Sequence, residues 1–296
     1  MKIGSLCTGY GGLDMAVEAY FNSETTWCAE IDKYASQLLK QRFDYPNHGD
    51  IRSIDWAAVE PIDILTAGYP CQPFSHAGYR KGLDDDRHIF PFILEAISSL
   101  RPRWVILENV RGHLSLGLKE VLNGLASVGY DARWKIIRAS DVGAPHQRAR
   151  LFIIAYSISE RCQDQLCGKG SSESVDGVAS NSDCDPCKKS RRANRGLSEQ
   201  SQGLRDGQNQ GQARNKYRSS SEMAGQELPN TLDQLGRLNP AFVEYMMGLP
   251  IGWVTDIEIS RSQQLKMLGN GVVPQQAYYA IKQLMELDTP SEQDLC

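Results

Sequence analysis

Short apolar runs recur along the first 155 residues, and each ends on a glycine turn or a lone polar residue before a helical pattern begins. The runs over 3–6, 25–29, 62–67 and 104–107 are too short for buried helices and are bounded by Gly, Pro or Glu, which makes them strands of a sheet covered on both faces. Helical patterns over 13–20, 32–42, 89–100 and 119–127 alternate with them. This alternation predicts an α/β fold with a doubly wound parallel sheet. In such a sheet the carboxyl ends of the strands open on one edge, where ligands bind. Gly9–Gly12, Glu30, Asp50, Cys71 and Glu108 each fall just after a predicted strand, so candidate site residues from five places in the chain converge on one crevice.

The first of these places, Cys7-Thr8-Gly9-Tyr10-Gly11-Gly12, joins a strand to a helix and reads as a nucleotide-binding entry. A dinucleotide fingerprint would carry a glycine three residues after Gly11; Asp14 stands there, which disfavours a dehydrogenase. Glycines also let the backbone approach a zwitterionic amino-acid tail. Glu30 lies about twenty residues beyond the turn, where a carboxylate for ribose hydroxyls belongs. Asp50 reads equally as a helix cap. Cys71 sits in Gly68-Tyr69-Pro70-Cys71-Gln72-Pro73-Phe74-Ser75, a turn that two prolines stiffen and deprive of two N–H donors. Taken alone, such a thiol is most often structural. Glu108, at the buried end of a strand, must be paired, hydrogen-bonded or protonated, so a raised pKa is expected.

The Cys71 string closely resembles the catalytic motif of the cytosine-5 DNA methyltransferases, Gly-aromatic-Pro-Cys-Gln-x-Phe-Ser. Other strings follow in that family's order: the glycine turn, with Cys7 in place of phenylalanine; Gly49-Asp50-Ile51; Asp86-Arg87-His88-Ile89-Phe90, with departures at His88 and Phe90; Glu108-Asn109-Val110; Gly143-Ala144-Pro145-His146-Gln147-Arg148-Ala149-Arg150; Gly248-Leu249-Pro250; and Gly269-Asn270-Gly271-Val272. The resemblance implies a Rossmann-like S-adenosylmethionine-dependent methyltransferase fold with a smaller, irregular target-recognition domain. It implies that Cys71 adds to cytosine C6, that Glu108 grips N3 and the 4-amino group, that Arg150 holds O2 and that Arg148 supports Glu108. It assigns S-adenosylmethionine to Gly9, Tyr10, Gly11, Gly12, Glu30, Ile31, Asp50, Ile51, Pro70, Phe90, Asn270 and Val272. A similar Pro-Cys-Gln string serves in transfer-RNA methylation, and the departures at Cys7, His88 and His146 leave open a DNA-binding relative without turnover.

From 156 to 235 the composition turns to Ser, Gly, Gln, Asn and Arg, poor in core formers. The resemblance places target recognition at 156–261, and the catalytic domain at 1–155 and 262–296. Nine Lys/Arg against Glu199 and Asp206 give 188–218 a charge of +7, which leaves −11 for the rest of a chain whose net charge is −4: one basic face on an acidic body, suited to double-stranded DNA, or a solvated loop. Cys162, Cys167, Cys184 and Cys187 are four thiols with loose spacing and unpatterned flanks, and no metal site is assigned. With eight cysteines, no signal-peptide pattern and no apolar run of eighteen, the sequence reads as a soluble, non-secreted protein of a reducing compartment, without a membrane span; the family resemblance implies a cytoplasmic monomer, bacterial or phage-encoded. A restriction endonuclease acting at the same site is a possible partner for which the sequence holds no sign.

Overall fold

The computed structural model describes residues 1–70, 89–157 and 227–286. Its centre is a six-stranded sheet in the order β2-β1-β3-β4-β6-β5, formed by β1 (Lys2–Leu6), β2 (Glu24–Ala29), β3 (Ile64–Gly68), β4 (Trp104–Val110), β5 (Tyr130–Ile137) and β6 (Arg150–Ser157). The first four in that order are parallel, as the sequence pattern predicts. The expectation of an all-parallel sheet is corrected at the other side, where β6 runs antiparallel to both β4 and β5. Reversal has a specific result: β6 begins at the edge where β4 ends, so Val110 pairs with Arg150.

Two helical layers account for the near-continuous apolar strands. On one face Ile64, Ile106, Phe152 and Ile154 pack against α1 (Gly12–Phe21) and the late helix α8 (Pro274–Met285). On the other, Leu65, Val105, Leu107 and Ile153 pack against α3 (Phe90–Leu100) and α5 (Leu118–Ser127), which follows the single turn α4 (His113–Leu116). Only β5 is half exposed, with Trp134 and Lys135 facing outward, as befits an edge strand.

A third cluster joins the two ends of the chain. Tyr10, Met15, Leu38 and Leu39, from the β1–α1 turn, α1 and α2 (Lys33–Arg42), pack with Leu249, Trp253, Val254 and Leu268. The loop that carries Leu249 and Trp253 follows α6 (Pro240–Met246) and wraps around a buried carboxylate. Glu244 accepts hydrogen bonds from the N–H groups of Gly252 (2.8 Å), Val254 (2.6 Å) and Thr255 (3.0 Å) and from the Thr255 hydroxyl (2.9 Å). Helix α7 (Arg261–Asn270) starts on Ser260, whose side chain caps Gln263 N–H, and was not anticipated from its mixed composition. It ends at the Gly269–Val272 stretch, which it delivers to the β1–α1 turn.

Candidate active site

The β1–α1 turn leaves the strand through Cys7, held at a φ of 53°, and turns back at Gly11, whose φ of 84° is open to glycine without strain. The next residue meets the end of the chain: a Cβ on Gly12 would lie 2.2 Å from the Val272 carbonyl oxygen. Tyr10 is fully buried behind the turn and donates its hydroxyl to that same carbonyl at 2.8 Å. Across the turn, Glu30 at the end of β2 accepts from Gly9 N–H and Asp32 N–H, both at 2.8 Å. Burial raises its pKa, against the pull of these bonds.

Beneath the turn lies a polar network that sequence reading missed. Ser5 and Thr66 are paired neighbours on β1 and β3, and both hydroxyls donate to Asp14, at 2.8 and 2.5 Å. Asp14 is 1% exposed, and burial lifts its carboxyl to about 6. The residue that departs from the dinucleotide fingerprint therefore bolts α1 to two strands. The only signal for it in the sequence was an acidic residue in the first turn of a helix otherwise patterned for burial.

A cavity of about 530 Å³ opens above this network. Gly9, Gly12, Glu30 and Ile31 line one side; Gly68, Pro70 and Glu108 the floor; Asn270 and Val272 the other side. Lys266 of α7 reaches Asp32, the N-cap of α2, at 3.5 Å, and both residues line the cavity. Among the described residues the wall does not include Tyr10, Gly11, Asp50, Ile51, Phe90 or Arg148. Tyr10 supports the wall from behind, while Ile51 and Phe90 belong to the core beneath α3. Asp50 follows no strand; its side chain caps a short turn through Arg52 N–H and pairs with the Arg52 guanidinium, which holds the carboxyl below its ordinary range.

At the centre of the edge, Glu108 is 6% exposed and pairs with Arg150 Nε at 2.9 Å. Burial raises its carboxyl to about 7 despite the opposing charges of Arg150 and Arg148. Arg148 acts on it only through space: its guanidinium donates to the Gly269 and Gly271 carbonyls at 2.7 and 2.6 Å, which ties the β5–β6 connection to the end of α7. His146 likewise turns to a backbone carbonyl, that of Met246, at 2.8 Å.

Strand β3 delivers Tyr69 and Pro70 beside Glu108. The Tyr69 carbonyl accepts from Asn109 Nδ2 at 3.2 Å, and its buried hydroxyl lies 3.0 Å from His113 Nε2. Burial pushes the His113 imidazole down to about 4, so it is neutral at physiological pH. Cys71, the four cysteines at 162, 167, 184 and 187, the basic stretch 188–218 and the variant His88 lie outside the described residues. The two described thiols, Cys7 and Cys28, are both pushed up to about 12 by burial and stay protonated at neutral pH. Among the described residues no group of three or more His, Cys, Asp or Glu could hold a metal ion, and no helix is long and apolar enough to cross a membrane.

Comparison with known proteins agrees with this geometry. The Type II methyltransferase M.NgoBI of Neisseria gonorrhoeae is 35% identical over 161 residues, covering 53% of this chain and 50% of that protein. M.HhaI of Haemophilus parahaemolyticus is 33% identical over 161 residues, covering 53% and 49%. The chain thus spans about half the length of the curated relatives it matches. Among solved structures, the S. pombe Dnmt2 methyltransferase superposes with a TM-score of 0.60 at 17% identity, over 98% of this chain and 100% of that one. A Spodoptera frugiperda DNMT2 variant does so with 0.61 at 16%, over 96% and 99%, a likeness of fold. The model of the C-5 cytosine-specific DNA methylases matches residues 1–175, more than half of the sequence, and takes in the glycine turn, Glu30, Glu108 and Arg150; the chain belongs to that family.

Proposed function

We propose that this protein transfers a methyl group from S-adenosylmethionine to carbon 5 of cytosine in double-stranded DNA, through a covalent bond between Cys71 and carbon 6 of a flipped base. The observation that carries the reading is Glu108: a carboxyl raised to about 7, paired with Arg150 at 2.9 Å, on the floor of the cavity where β3 runs into the Cys71 turn. A group poised there is half protonated near neutrality and suits an acid that must hold a proton on cytosine N3.

The cavity fits the cofactor on chemical grounds. A glycine turn without side chains faces a carboxylate, Glu30, that still has lone pairs free beyond its two backbone bonds, and the family resemblance assigns such a pair to the amino-acid tail and the ribose. Gly9, Gly12, Glu30, Ile31, Asn270 and Val272 hold the cofactor, which supplies the methyl group. The roles of Tyr10, Gly11, Asp50, Ile51 and Phe90 are then indirect, through the shape of the wall. Cytosine C5 becomes nucleophilic only once a nucleophile has added to C6. Cys71 as thiolate would add there while Glu108 donates its proton to N3 and Arg150 holds O2; C5 would then take the methyl group, water would accept the C5 proton, and elimination would expel the Cys71 thiolate as N3 returns its proton to Glu108.

Residues 1–155 and 262–296 make the catalytic domain in this reading, and 156–261 recognise the target. The protein acts as a cytoplasmic monomer in a bacterium or under a phage. The Type II names of its relatives favour a companion restriction endonuclease.

The test is a bisulfite-conversion map of plasmid and host DNA from cells expressing the chain or its Cys71→Ala variant. Protected cytosines in one short context, absent with the variant, are expected. Folded protein that protects no DNA cytosine would overturn the reading and direct attention to RNA substrates or to a relative without turnover.

A further inference from the structure

The sheet edge is divided by charge. On the side of β2, β1 and β3 the cavity is lined by the carboxylates Asp14, Glu30 and Asp32. On the side of β4, β6 and β5, beside Glu108, three arginines stand at or just past the edge: Arg150, Arg111 and Arg138. Val110, Arg150 and Ile137 sit side by side on these three strands, paired in register. One step further out along the same strands come Arg111, Ala149 and Arg138. Strands lie about 4.8 Å apart, so the Arg111 and Arg138 backbones stand about 10 Å apart, one on each side of the Arg150 strand.

Arg111 and Arg138 are both exposed and line a second cavity, of about 320 Å³, with Ile136, Asp141 and Ala149. Among the described residues neither guanidinium forms an ion pair. The acidic residue of this cavity, Asp141, accepts from Arg138 backbone N–H at 2.8 Å, and against it the two guanidiniums leave the recess a formal charge of +1. Two such guanidiniums flanking a recess are a site for an anion with several acceptor oxygens, and their planar fork suits phosphate in particular.

We infer that Arg111 and Arg138 bind the phosphodiesters of the DNA strand that carries the target cytosine, on either side of the nucleotide whose base reaches Glu108 and Arg150. This rests on the function proposed above. A base that reaches the Glu108–Arg150 pair must enter over the edge formed by Val110, Arg150 and Ile137, and its own backbone must then pass the residues that follow them. Arms as long as arginine's, about 10 Å apart at their roots, span phosphates of neighbouring nucleotides, which rise about 3.4 Å each along a strand. These arginines position the strand and read no bases.

The experiment measures fluorescence anisotropy of the full chain with a labelled duplex carrying the context protected in the bisulfite map, and with a scrambled duplex, across a salt series. For Arg111→Ala/Arg138→Ala, the slope of log affinity against log salt should fall in magnitude by about 2, near 0.9 for each phosphate that is no longer neutralised. Affinity at about 0.15 M salt should drop tenfold or more, equally for both duplexes. Binding of S-adenosylhomocysteine, measured by calorimetry on the same variant, should not change. An unaltered slope in a protein whose wild type methylates DNA overturns this inference and spares the proposed function. A reduced slope on the scrambled duplex in a protein that methylates no DNA overturns the proposed function and with it the placement of these phosphates beside a target cytosine, leaving only a DNA-phosphate contact. An RNA duplex of the same sequence is titrated alongside; a slope that changes with it and not with either DNA duplex assigns the site to RNA and overturns the inference as stated.

Discussion

Replacing Glu108 by Gln should change how the stability of the protein depends on pH. The carboxyl is raised from an ordinary 4.5 to about 7, with burial outweighing the arginines. The unfolded chain therefore gives up this proton near 4.5 while the folded chain keeps it until about 7. Stability from this group is fully present below 4.5 and is lost as pH rises through 7. At about 1.4 kcal/mol for each unit of pKa, the loss across the whole window is about 3 kcal/mol, and about 2–3 kcal/mol falls between pH 5 and 8. A glutamine does not titrate. Urea unfolding of wild type and Glu108→Gln at pH 5, 6, 7 and 8 should show the variant gaining on the wild type by that amount as pH rises, with unchanged m-values. Asp14 and Glu30, which burial also raises, titrate in both proteins and cancel in the difference. Parallel stability curves would show that Glu108 titrates as an ordinary carboxylate, and the acid role assigned to it would lose its basis. The same titration predicts that methyl transfer in the wild type declines above pH 7.

Three further predictions follow from interactions elsewhere. Glu244→Ala strands three buried N–H groups and a hydroxyl, and should cost about 3 kcal/mol or more in urea unfolding; a loss below about 1 kcal/mol contradicts the role given to that carboxylate. In Gly12→Ala the new methyl meets a backbone carbonyl that cannot rotate away, so the variant should lose about 3 kcal/mol and bind S-adenosylhomocysteine more weakly; wild-type affinity in calorimetry counts against the packing described. Tyr69→Phe removes the hydrogen bond to His113 and should cost about 1 kcal/mol equally at pH 7 and 8, since the imidazole is neutral at both; a cost that differs between the two means that His113 titrates there.

The sequence was informative where local pattern and tertiary structure coincide. Runs such as 3–6 and 104–107 are buried on both faces, so their apolar continuity predicts strands directly. Strand direction is different: nothing in the residues of 150–157 distinguishes a parallel from an antiparallel neighbour, because both bury the same alternating side chains. Helix α7 was missed because only Leu265, Met267 and Leu268 break a polar stretch, and it is held by packing against residues distant in sequence. Asp14 and Glu244 escaped notice for a related reason. Each looks like a surface acid in sequence, and only the fold brings its hydroxyl and amide donors within reach. At Asp50 the structure shows the capping geometry that its sequence context also allowed.

The hydrogen bond between Tyr10 and Val272 spans 262 positions of the chain and ties the β1–α1 turn to the opposite wall of the cavity. During synthesis at roughly 5–20 residues per second, the glycine turn would leave the ribosome tens of seconds before its opposing wall exists. Until then the apolar face of α1, with Leu13, Ala16 and Val17, lacks the α8 residues that cover it. A nascent chain can therefore build most of its sheet while the cavity still lacks its second wall and one apolar face of α1 is still uncovered.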